Sequence, residues 1–421
     1  MDQATARRVL MVAYHFPPLR GSSGIQRTLR FCRYLPEFGW TPLVLTTSAR
    51  AYEEIDDASR DDIPPDTIVR RAFALNAARD LSINSRFPGI LAVPDRWSSW
   101  LLMGVATGLA MIRKFRPHAL FSTYPIATAH LIGLALHRLT GLPWIADFRD
   151  PMAQPGYPSD PRQWRSFRWI EQRALAEACR ALFTSPGAIR DYRATYPAIP
   201  AERFVLLENG YDEVAFTGVQ RTGSAPAAGT RAPLVILHSG IVYPSERDPT
   251  QFFAALGALK RNGILRPADV EFRFRASGSD ALLRSLAERE GVTDLVSLRP
   301  SIPYREALTE MVNVDGLLLM QAANCNSQIP AKGYEYVRAG RPILALTDAA
   351  GDTADLMRRA GIDAIAPLDS TPALEDAIPR FVASLRSGVA RIADAGFAST
   401  CSRRARTNVL ADVLGACTPR R

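Results

Sequence analysis

A stretch near residue 330 constrains the fold of this chain more than any other. It reads Gln328-Ile-Pro-Ala-Lys-Gly-Tyr-Glu-Tyr-Val-Arg-Ala-Gly-Arg-Pro-Ile-Leu-Ala-Leu346. A proline in the first helical turn, a glycine at the expected helix end and a short apolar run after it predict a helix, a tight turn and a strand. Another apolar run, residues 314–320, lies just upstream. The segment therefore predicts a strand–helix–strand unit.

The same alternation of short apolar runs and helical periods extends along most of the 421 residues. Such alternation is typical of parallel sheets covered by helices, and a chain of this length exceeds what one core usually organises. We therefore predict an α/β fold with two Rossmann-like, doubly wound parallel-sheet domains that face each other across a cleft. The predicted organisation is a first domain over residues 1–210, a hinge and linker over 211–233, a second domain over 234–394 and a C-terminal helix over 395–421.

The charge balance favours an anionic partner. The chain has 51 basic and 42 acidic residues, a formal net charge of +9, and no long run of one sign. This suits a nucleotide sugar or a phospholipid surface better than nucleic acid. The apolar stretch from Trp100 to Ile112 is too short to span a bilayer. Five cysteines, an odd number without metal or disulfide spacing, predict reduced thiols in the cytoplasm: Cys32, Cys179, Cys325, Cys401 and Cys417.

Lys332 and Glu335 are the first candidates for a site. They lie three residues apart near the start of the predicted helix, where backbone N–H groups favour anions. Lysine is rare in this chain, with only Lys114, Lys260 and Lys332 among the 51 basic residues. A lysine there suits a diphosphate, and a carboxylate one turn further can accept hydrogen bonds from sugar hydroxyls. The alternative is an ordinary surface pair.

A second candidate is the loop formed by Gly21, Ser22, Ser23 and Gly24, between the first strand and a helix that opens at Ile25. Small residues at such a turn let backbone N–H groups approach a phosphate or a sugar closely. Plain turn chemistry also explains this loop. It is not the dinucleotide-binding fingerprint, because G-x-G-x-x-G is absent.

Charged residues follow the strand near residue 145. Asp147, Arg149 and Asp150 stand where it ends, and in an open parallel sheet the carboxyl ends of strands face the ligand crevice. In the alternative interpretation Asp150 caps the next helix and Arg149 pairs with Asp147.

The predicted helix after residue 160 is amphipathic. One side carries arginines and another carries apolar side chains, which suits contact with anionic lipid. Packing of its apolar side on its own sheet is the alternative. The residues are Arg162, Arg165, Arg168 and Arg173, and Trp164, Phe167 and Ile170.

With these motifs in hand, the chain resembles a known family. The pattern P-x-K-x-x-E-Y-x-x-x-G-x-P-I-L resembles the donor-binding segment of retaining nucleotide-sugar glycosyltransferases of the GT-B fold, family 4. Residues 122–151 resemble the acceptor domain of bacterial members that build surface polysaccharides, and residues 209–212 resemble the hinge. The resemblance covers residues 9–38, 118–151, 205–249 and 314–346. It implies that the first domain binds the acceptor, that the second binds the nucleotide sugar, and that the C-terminal helix packs back on the first domain.

The resemblance also implies residue roles. It assigns donor contacts to Gly21, Ser22, Ser23, Gly24, Ser239, Gly240, Arg247, Gln328, Lys332 and Glu335, and acceptor-side contacts to His130, Arg149 and Asp150. Three family features are missing: Ile241 replaces a donor-loop arginine, Ser327 replaces the first motif glutamate, and no histidine stands near Phe148. Asp147 is then the remaining acid/base candidate, beside Arg247, Lys332 and Glu335 as the other catalytic residues.

The resulting hypothesis is a glycosyltransferase. It would move a sugar from a UDP- or GDP-sugar to a glycan or lipid-linked acceptor with retention of configuration, in the cytoplasm or peripherally on the inner face of the plasma membrane. No Asp-x-Asp occurs, and the five histidines lack chelating spacing, so we expect no metal, and no cofactor besides the nucleotide sugar. Two alternatives remain, a nucleotide-sugar epimerase of the same fold and a non-catalytic binding subunit that kept the fold.

Overall fold

The computed structural model describes residues 7–21, 24–82, 89–221 and 232–418. The chain divides into two units, which we call unit 1 (Met1–Glu208 and Arg403–Arg421) and unit 2 (Asn209–Ser402). The first crossing between units thus lies at residue 208, beside the predicted domain end at 210. The predicted linker belongs to unit 2, and its residues 222–231 lie outside the described residues. The second crossing follows Ser402 rather than residue 394.

Unit 1 contains a parallel sheet of seven strands in the order β3-β2-β1-β4-β5-β6-β7. The order reverses between β1 and β4, as in doubly wound folds. Its elements are β1 (Arg7–Ala13), α1 (Gly24–Tyr34), β2 (Trp40–Thr47), β3 (Ile68–Ala72), α2 (Ala77–Asp80), α3 (Trp100–Phe115), β4 (Ala119–Thr123), α4 (Ala127–Thr140), β5 (Trp144–Arg149), α5 (Pro161–Glu177), β6 (Arg180–Phe183), α6 (Pro186–Thr195) and β7 (Phe204–Leu206).

Unit 2 contains a parallel sheet of six strands in the order β10-β9-β8-β11-β12-β13. Its elements are β8 (Leu234–Ser239), α7 (Thr250–Arg261), β9 (Val270–Arg275), α8 (Asp280–Arg289), β10 (Val296–Arg299), α9 (Tyr304–Asn313), β11 (Gly316–Gln321), α10 (Ala331–Ala339), β12 (Ile343–Thr347), α11 (Asp352–Arg359), β13 (Ile365–Ala366), α12 (Thr371–Ser387) and α13 (Ala395–Thr400). The prediction of two doubly wound parallel-sheet domains is confirmed.

The predicted strand–helix–strand unit around residue 330 is present as β11, α10 and β12. Gly340 ends α10 in the left-handed conformation, with φ 63°, which glycine adopts without strain. Pro330 differs from the prediction, because it caps the helix from outside instead of occupying its first turn. In the central strand β1, the five residues from Val9 to Ala13 are all apolar and have no exposed surface, because helices cover both faces of the sheet.

The C-terminal segment is split between the units. The predicted helix over 395–421 breaks near Cys401, whose carbonyl accepts a hydrogen bond from the Tyr211 N–H at 3.1 Å. The first piece, α13, belongs to unit 2, and the second, α14 (Arg403–Cys417), belongs to unit 1. Leu410 and Leu414 of α14 share an apolar cluster with Leu29 of α1. Only α14 therefore belongs to the first folding unit.

The structure corrects the expectation that all five cysteines are reduced. Cys179, just before β6, and Cys417, the last residue of α14, form a disulfide. They are 238 residues apart in sequence, so no local spacing could reveal the pair. The other three cysteines are buried and form no disulfide in the described part of the chain.

None of the helices in the described parts of the chain is both long enough and apolar enough to cross a membrane.

Candidate functional site

Gly240 and Lys332 are in direct contact in unit 2. Gly240 follows β8 and has φ 121°, and a Cβ built there would lie 2.0 Å from Lys332 Cε and 2.1 Å from Nζ. Only glycine leaves room for this lysine to lie across the backbone. The neighbouring Ser239 is fixed by its N–H, which donates to the Tyr336 hydroxyl at 2.9 Å. The ammonium group of Lys332 therefore lies against the backbone at the end of β8.

Within the described part of the chain, no carboxylate forms an ion pair with Lys332. Burial lowers the pKa of Lys332, the Glu335 carboxylate opposes this effect and Arg247 adds to it. The ammonium is therefore near enough to Arg247 for the two cations to repel. Among the described residues, neither Lys332 nor Arg247 forms an ion pair. Two neighbouring cations without a counter-ion are costly unless an anion binds them.

Arg247 is anchored to the loop that follows Gly240. Its Nη1 donates to the Ile241 carbonyl oxygen at 2.8 Å, and its guanidinium lies 5.4 Å from the centre of the Tyr243 ring. The side chain is partly buried, and its remaining N–H donors are not engaged within the described residues. This anchoring keeps a guanidinium beside the end of β8.

Glu335 lies one turn further along α10. Its Oε1 accepts a hydrogen bond from the Tyr304 hydroxyl at 2.8 Å, and Tyr304 is 54% exposed. Gln328 precedes α10, and its carbonyl accepts a hydrogen bond from the Thr353 hydroxyl at 3.0 Å. The predicted donor residues of unit 2, from Ser239 to Glu335, therefore gather around the ends of β8 and β11 and the start of α10.

Asp147 has a different environment from the one that its predicted role requires. It has no exposed surface, and Arg27 binds both of its oxygens, with Nε at 2.9 Å from Oδ2 and Nη2 at 2.8 Å from Oδ1. The Thr123 hydroxyl also donates to Oδ2 at 2.9 Å. A carboxylate enclosed in this way cannot exchange a proton with a substrate. The geometry contradicts an acid/base role and assigns Asp147 to the support of Arg27.

The structure also contradicts the acceptor-side role that the sequence predicts for His130. It is fully buried, its Nδ1 lies 2.7 Å from the Ser122 hydroxyl, and aromatic rings of Tyr124, Trp144 and Phe148 surround it. Burial lowers its pKa to about 4, so the ring is neutral at pH 7. A histidine in this position belongs to the core of unit 1 and has no surface for an acceptor. Asp150, in contrast, is exposed just after β5.

Arg149, His15 and Gly24 meet at the other predicted loop. A Cβ on Gly24 would lie 2.4 Å from His15 Nδ1 and 2.5 Å from Arg149 Nη1. His15 is not among the predicted site residues. Its position two residues after the end of β1, where the strand ends face a ligand crevice, could have indicated it. Gly21 is at an exposed turn with φ 80°. Ser22 and Ser23 lie outside the described residues.

In the described ranges, no group of three or more His, Cys, Asp or Glu side chains could hold a metal ion. Metal independence of the reaction stays a prediction.

Residues 23–210 match the family model of the glycosyl transferase 4-like domain. This range covers most of unit 1 and agrees with the family resemblance of its sequence. No curated protein sequence matches the chain.

Solved structures share the fold of both units. Sucrose-phosphate synthase from Thermosynechococcus elongatus is 14% identical, with a TM-score of 0.63 over 97% of this chain and 96% of that one. Anabaena HepE in complex with UDP-glucose is 13% identical, with a TM-score of 0.64 over 97% of this chain and 99% of that one. UDP-GlcNAc 2-epimerase from Neisseria meningitidis, bound to UDP-GlcNAc, is 11% identical, with a TM-score of 0.54 over 97% and 99%. At these identities the likeness shows the fold alone.

Proposed function

We propose that this protein is a glycosyltransferase that moves a sugar from a nucleotide-diphosphate sugar to a glycan or lipid-linked acceptor. The observation that carries the proposal is the contact between Lys332 and Gly240, with Arg247 nearby and no counter-ion on either cation in the described residues. A diphosphate supplies the missing negative charge. The match of unit 1 to a glycosyl transferase 4-like domain, and the UDP-sugar bound to a structure of the same fold, support this choice of ligand.

The proposed chemistry follows from the leaving group. When the bond between the sugar and the diphosphate breaks, negative charge grows on the diphosphate oxygens. Lys332, Arg247 and the N–H groups at the start of α10 would stabilise that charge, since fixed donors need no reorganisation during the reaction. Glu335 would accept hydrogen bonds from sugar hydroxyls after release of the Tyr304 phenol. We propose transfer without a metal and with retention of configuration, as in the family that the sequence resembles.

The acceptor would bind to unit 1. Asp150 and Arg149 are the residues we assign to it, while Asp147 supports Arg27 from the core. We assign no acid/base residue of the protein, because the carboxylate predicted for that role is enclosed. The proton of the acceptor hydroxyl would pass to the departing diphosphate as the new glycosidic bond forms.

A screen of nucleoside diphosphates tests the donor assignment first. We expect one nucleoside diphosphate, and its sugar, to raise the unfolding temperature of the wild-type protein and to have no such effect on Lys332→Ala. Lys260→Ala is the matched control, because Lys260 is partly exposed and bound to Asp294 on another part of unit 2. If no nucleoside diphosphate stabilises the wild type, or if Lys332→Ala responds like it, the donor assignment is wrong.

An epimerase is the second candidate, because a nucleotide-sugar epimerase has the same fold. Such an enzyme acts on the donor alone. Incubation of the stabilising nucleotide sugar without any acceptor, followed by NMR, separates the two functions. An epimer in the product would replace the transferase proposal, whereas release of nucleoside diphosphate only in the presence of an acceptor extract would support it.

We also propose peripheral contact with anionic lipid through α5. Its outward face carries Arg162, Arg165 and Arg173, and Trp169 on the same helix is 45% exposed. The predicted fourth arginine does not join them, because Arg168 lies over the Tyr196 ring. Basic side chains around an exposed tryptophan suit an interface with acidic headgroups. Sedimentation with vesicles that contain anionic lipid tests this, and a double Arg162→Gln, Arg165→Gln variant should sediment less.

A further inference from the structure

Helix α10 carries three charged side chains at a spacing of three residues. They are Lys332, Glu335 and Arg338, and each is partly exposed. Residues three apart are neighbours on the surface of an α-helix, so the three charges form a row along α10. The opposite face is buried, and there the Tyr336 hydroxyl accepts a hydrogen bond from the Ser239 N–H at 2.9 Å. The proposed function uses the first two charges of the row and gives no role to the third.

Arg338 forms a bidentate ion pair with Glu213. Its Nε lies 3.1 Å from Oε1 and 2.9 Å from Oε2 of that carboxylate, and its Nη2 also donates to Oε1. Hydrogen bonding between the two groups lowers the pKa of Glu213 and raises the pKa of Arg338. Both side chains reach solvent, so water weakens the attraction, and the ion pair alone contributes little to stability.

Two buried aromatic rings also contact the guanidinium of Arg338. Its central carbon lies 4.9 Å from the centre of the Phe216 ring and 5.8 Å from the centre of the Tyr211 ring. The two rings pack edge to face, with their centres 5.9 Å apart. A planar guanidinium can stack on rings and bind a carboxylate at two points, whereas a lysine ammonium lacks this geometry. Charge and stacking together therefore fix the orientation of Arg338.

The partners of Arg338 lie close to the place where the chain enters unit 2. This unit begins at Asn209 and ends at Ser402. The Tyr211 N–H donates to the Cys401 carbonyl oxygen at 3.1 Å, and Tyr211 pairs with Ser402 in a parallel bridge. The same tyrosine thus contacts the chain at both ends of unit 2. Through its partners, Arg338 joins α10 to the two points at which the chain passes between the units.

Helix α10 depends on such contacts for its position. It has only nine residues, and Pro330 at its start offers no side-chain cap. Because isolated helices shorter than about 12–15 residues are marginal in water, packing decides where a helix of this length lies. The hydroxyl of Tyr336 fastens the buried face, and Arg338 fastens the outer one. Loss of the outer contact should let the helix shift, together with Lys332 and Glu335.

We propose that Arg338 is a positioning residue for the nucleotide-sugar site. Its ion pair with Glu213 and its contacts with the two rings fix α10, and thereby keep Lys332 and Glu335 in the geometry that the ligand requires. Arg338 itself contacts no substrate. The identity of the ligand rests on the proposed function, whereas the attachment of α10 to residues 211–216 does not.

Binding of nucleoside diphosphate tests the positioning role. We expect Arg338→Gln to bind the nucleoside diphosphate found in the screen on the order of tenfold more weakly than the wild type, because a displaced Lys332 ammonium loses its contact with the diphosphate. Arg338→Lys keeps the charge and loses the guanidinium plane, so it should recover part of the affinity. Arg380→Gln is the matched control: it breaks an exposed ion pair with Asp376 on α12, and it should bind like the wild type.

Steady-state kinetics distinguish positioning from a purely structural role. We expect Arg338→Gln to lower kcat as well as to raise the KM for the nucleotide sugar, because Lys332 is assigned to the charge that grows on the leaving diphosphate. A purely structural arginine would change the unfolding temperature and leave both constants unchanged at temperatures where the variant is folded. Unchanged constants in Arg338→Gln would therefore contradict the positioning role.

A double-mutant cycle checks that Arg338 acts through Glu213. Glu213→Gln should weaken nucleoside diphosphate binding in the same direction, and the variant with both substitutions should bind no more weakly than Arg338→Gln alone, since both changes remove one contact. Fully additive effects would show that the two residues act independently, and the proposed contact would then not explain the result.

Hydrogen exchange without ligand separates failure of this proposal from failure of the proposed function. We expect the backbone N–H groups of α10 to exchange faster in Arg338→Gln than in the wild type, and those of α12 to exchange equally in both. Unchanged exchange in α10, or faster exchange together with wild-type affinity for nucleoside diphosphate, would overturn the proposal. If no nucleoside diphosphate binds the wild type, the proposed function is wrong, and the exchange rates alone decide whether Arg338 fixes α10.

Discussion

Arg27 in unit 1 and the two cations beside β8 in unit 2 are held in opposite ways. In unit 1, Arg27 is buried and Asp147 neutralises it with two hydrogen bonds, supported by Thr123. In unit 2, Lys332 is packed on Gly240 and Arg247 is tied to a backbone carbonyl, and neither has a carboxylate bound in the described residues. A cation with a built-in anion serves the fold, whereas a cation that the fold leaves unpaired is available to a ligand.

The largest effect should come from breaking the ion pair between Arg27 and Asp147 in unit 1. Asp147→Asn removes the carboxylate that neutralises the buried Arg27, and we expect a loss of about 3–5 kcal/mol in the free energy of unfolding. Urea denaturation measures it. Asp57→Asn is the matched control, because the Asp57–Arg60 pair is exposed and such pairs contribute about 0–1 kcal/mol. Equal effects of the two variants would remove the distinction between paired and unpaired cations.

Removal of Lys332, one of the two cations beside β8, should lower the activity and leave the free energy of unfolding nearly unchanged. We expect Lys332→Ala to lower the transfer rate on the order of 10²-fold, because one stabilising charge on the leaving diphosphate is lost. Initial rates with the donor identified in the screen give the value, and Lys260→Ala should react at the wild-type rate. Measurable turnover in a protein that carries both Lys332→Ala and Arg247→Ala would contradict the assigned roles.

A smaller effect, on the binding of nucleoside diphosphate, should follow from a substitution that displaces the side chain of Lys332. Gly240→Ala places a methyl group at the 2.0 Å contact with Lys332, and we expect nucleoside diphosphate to bind about tenfold more weakly because the ammonium must move. Gly263→Ala is the control: Gly263 also has a positive φ, 68°, but nothing lies within 4 Å of its Cβ position. Calorimetric titration compares the two. Equally strong binding by the two variants would contradict the role given to the contact between Gly240 and Lys332.

The smallest effect concerns Glu335. Tyr304→Phe removes the phenol that donates to its carboxylate, so a sugar hydroxyl no longer competes with this bond. We expect the KM for the nucleotide sugar to fall about threefold, in line with the modest net energy of an exposed hydrogen bond. Steady-state kinetics provide the measurement, with Glu335→Gln expected to raise the KM. A rise for Tyr304→Phe as well would mean that the phenol holds the carboxylate in its binding position.

The sequence was sufficient to predict the fold and the position of Lys332 and Glu335 on one helix. Short apolar runs, Gly340 and the lysine-bearing helix start are local signals, and they predict the strand–helix–strand unit and the assembly of Lys332 with Glu335. Side-chain burial is not local. His130 and Asp147 follow strand and helix patterns that suit either a core or a site, and only the positions of Ser122, Thr123 and Arg27 decide between them. The disulfide between Cys179 and Cys417 depends on distant packing in the same way.

The passage of the chain through unit 1 at both ends has a consequence for biosynthesis. Strand β1 is made before unit 2, and α14, which packs on α1, is made after it. Until α14 has been made, α1 lacks this neighbour and its apolar side chains stay uncovered, while all of unit 2 is already present. Unit 1 is thus begun before unit 2 and completed after it.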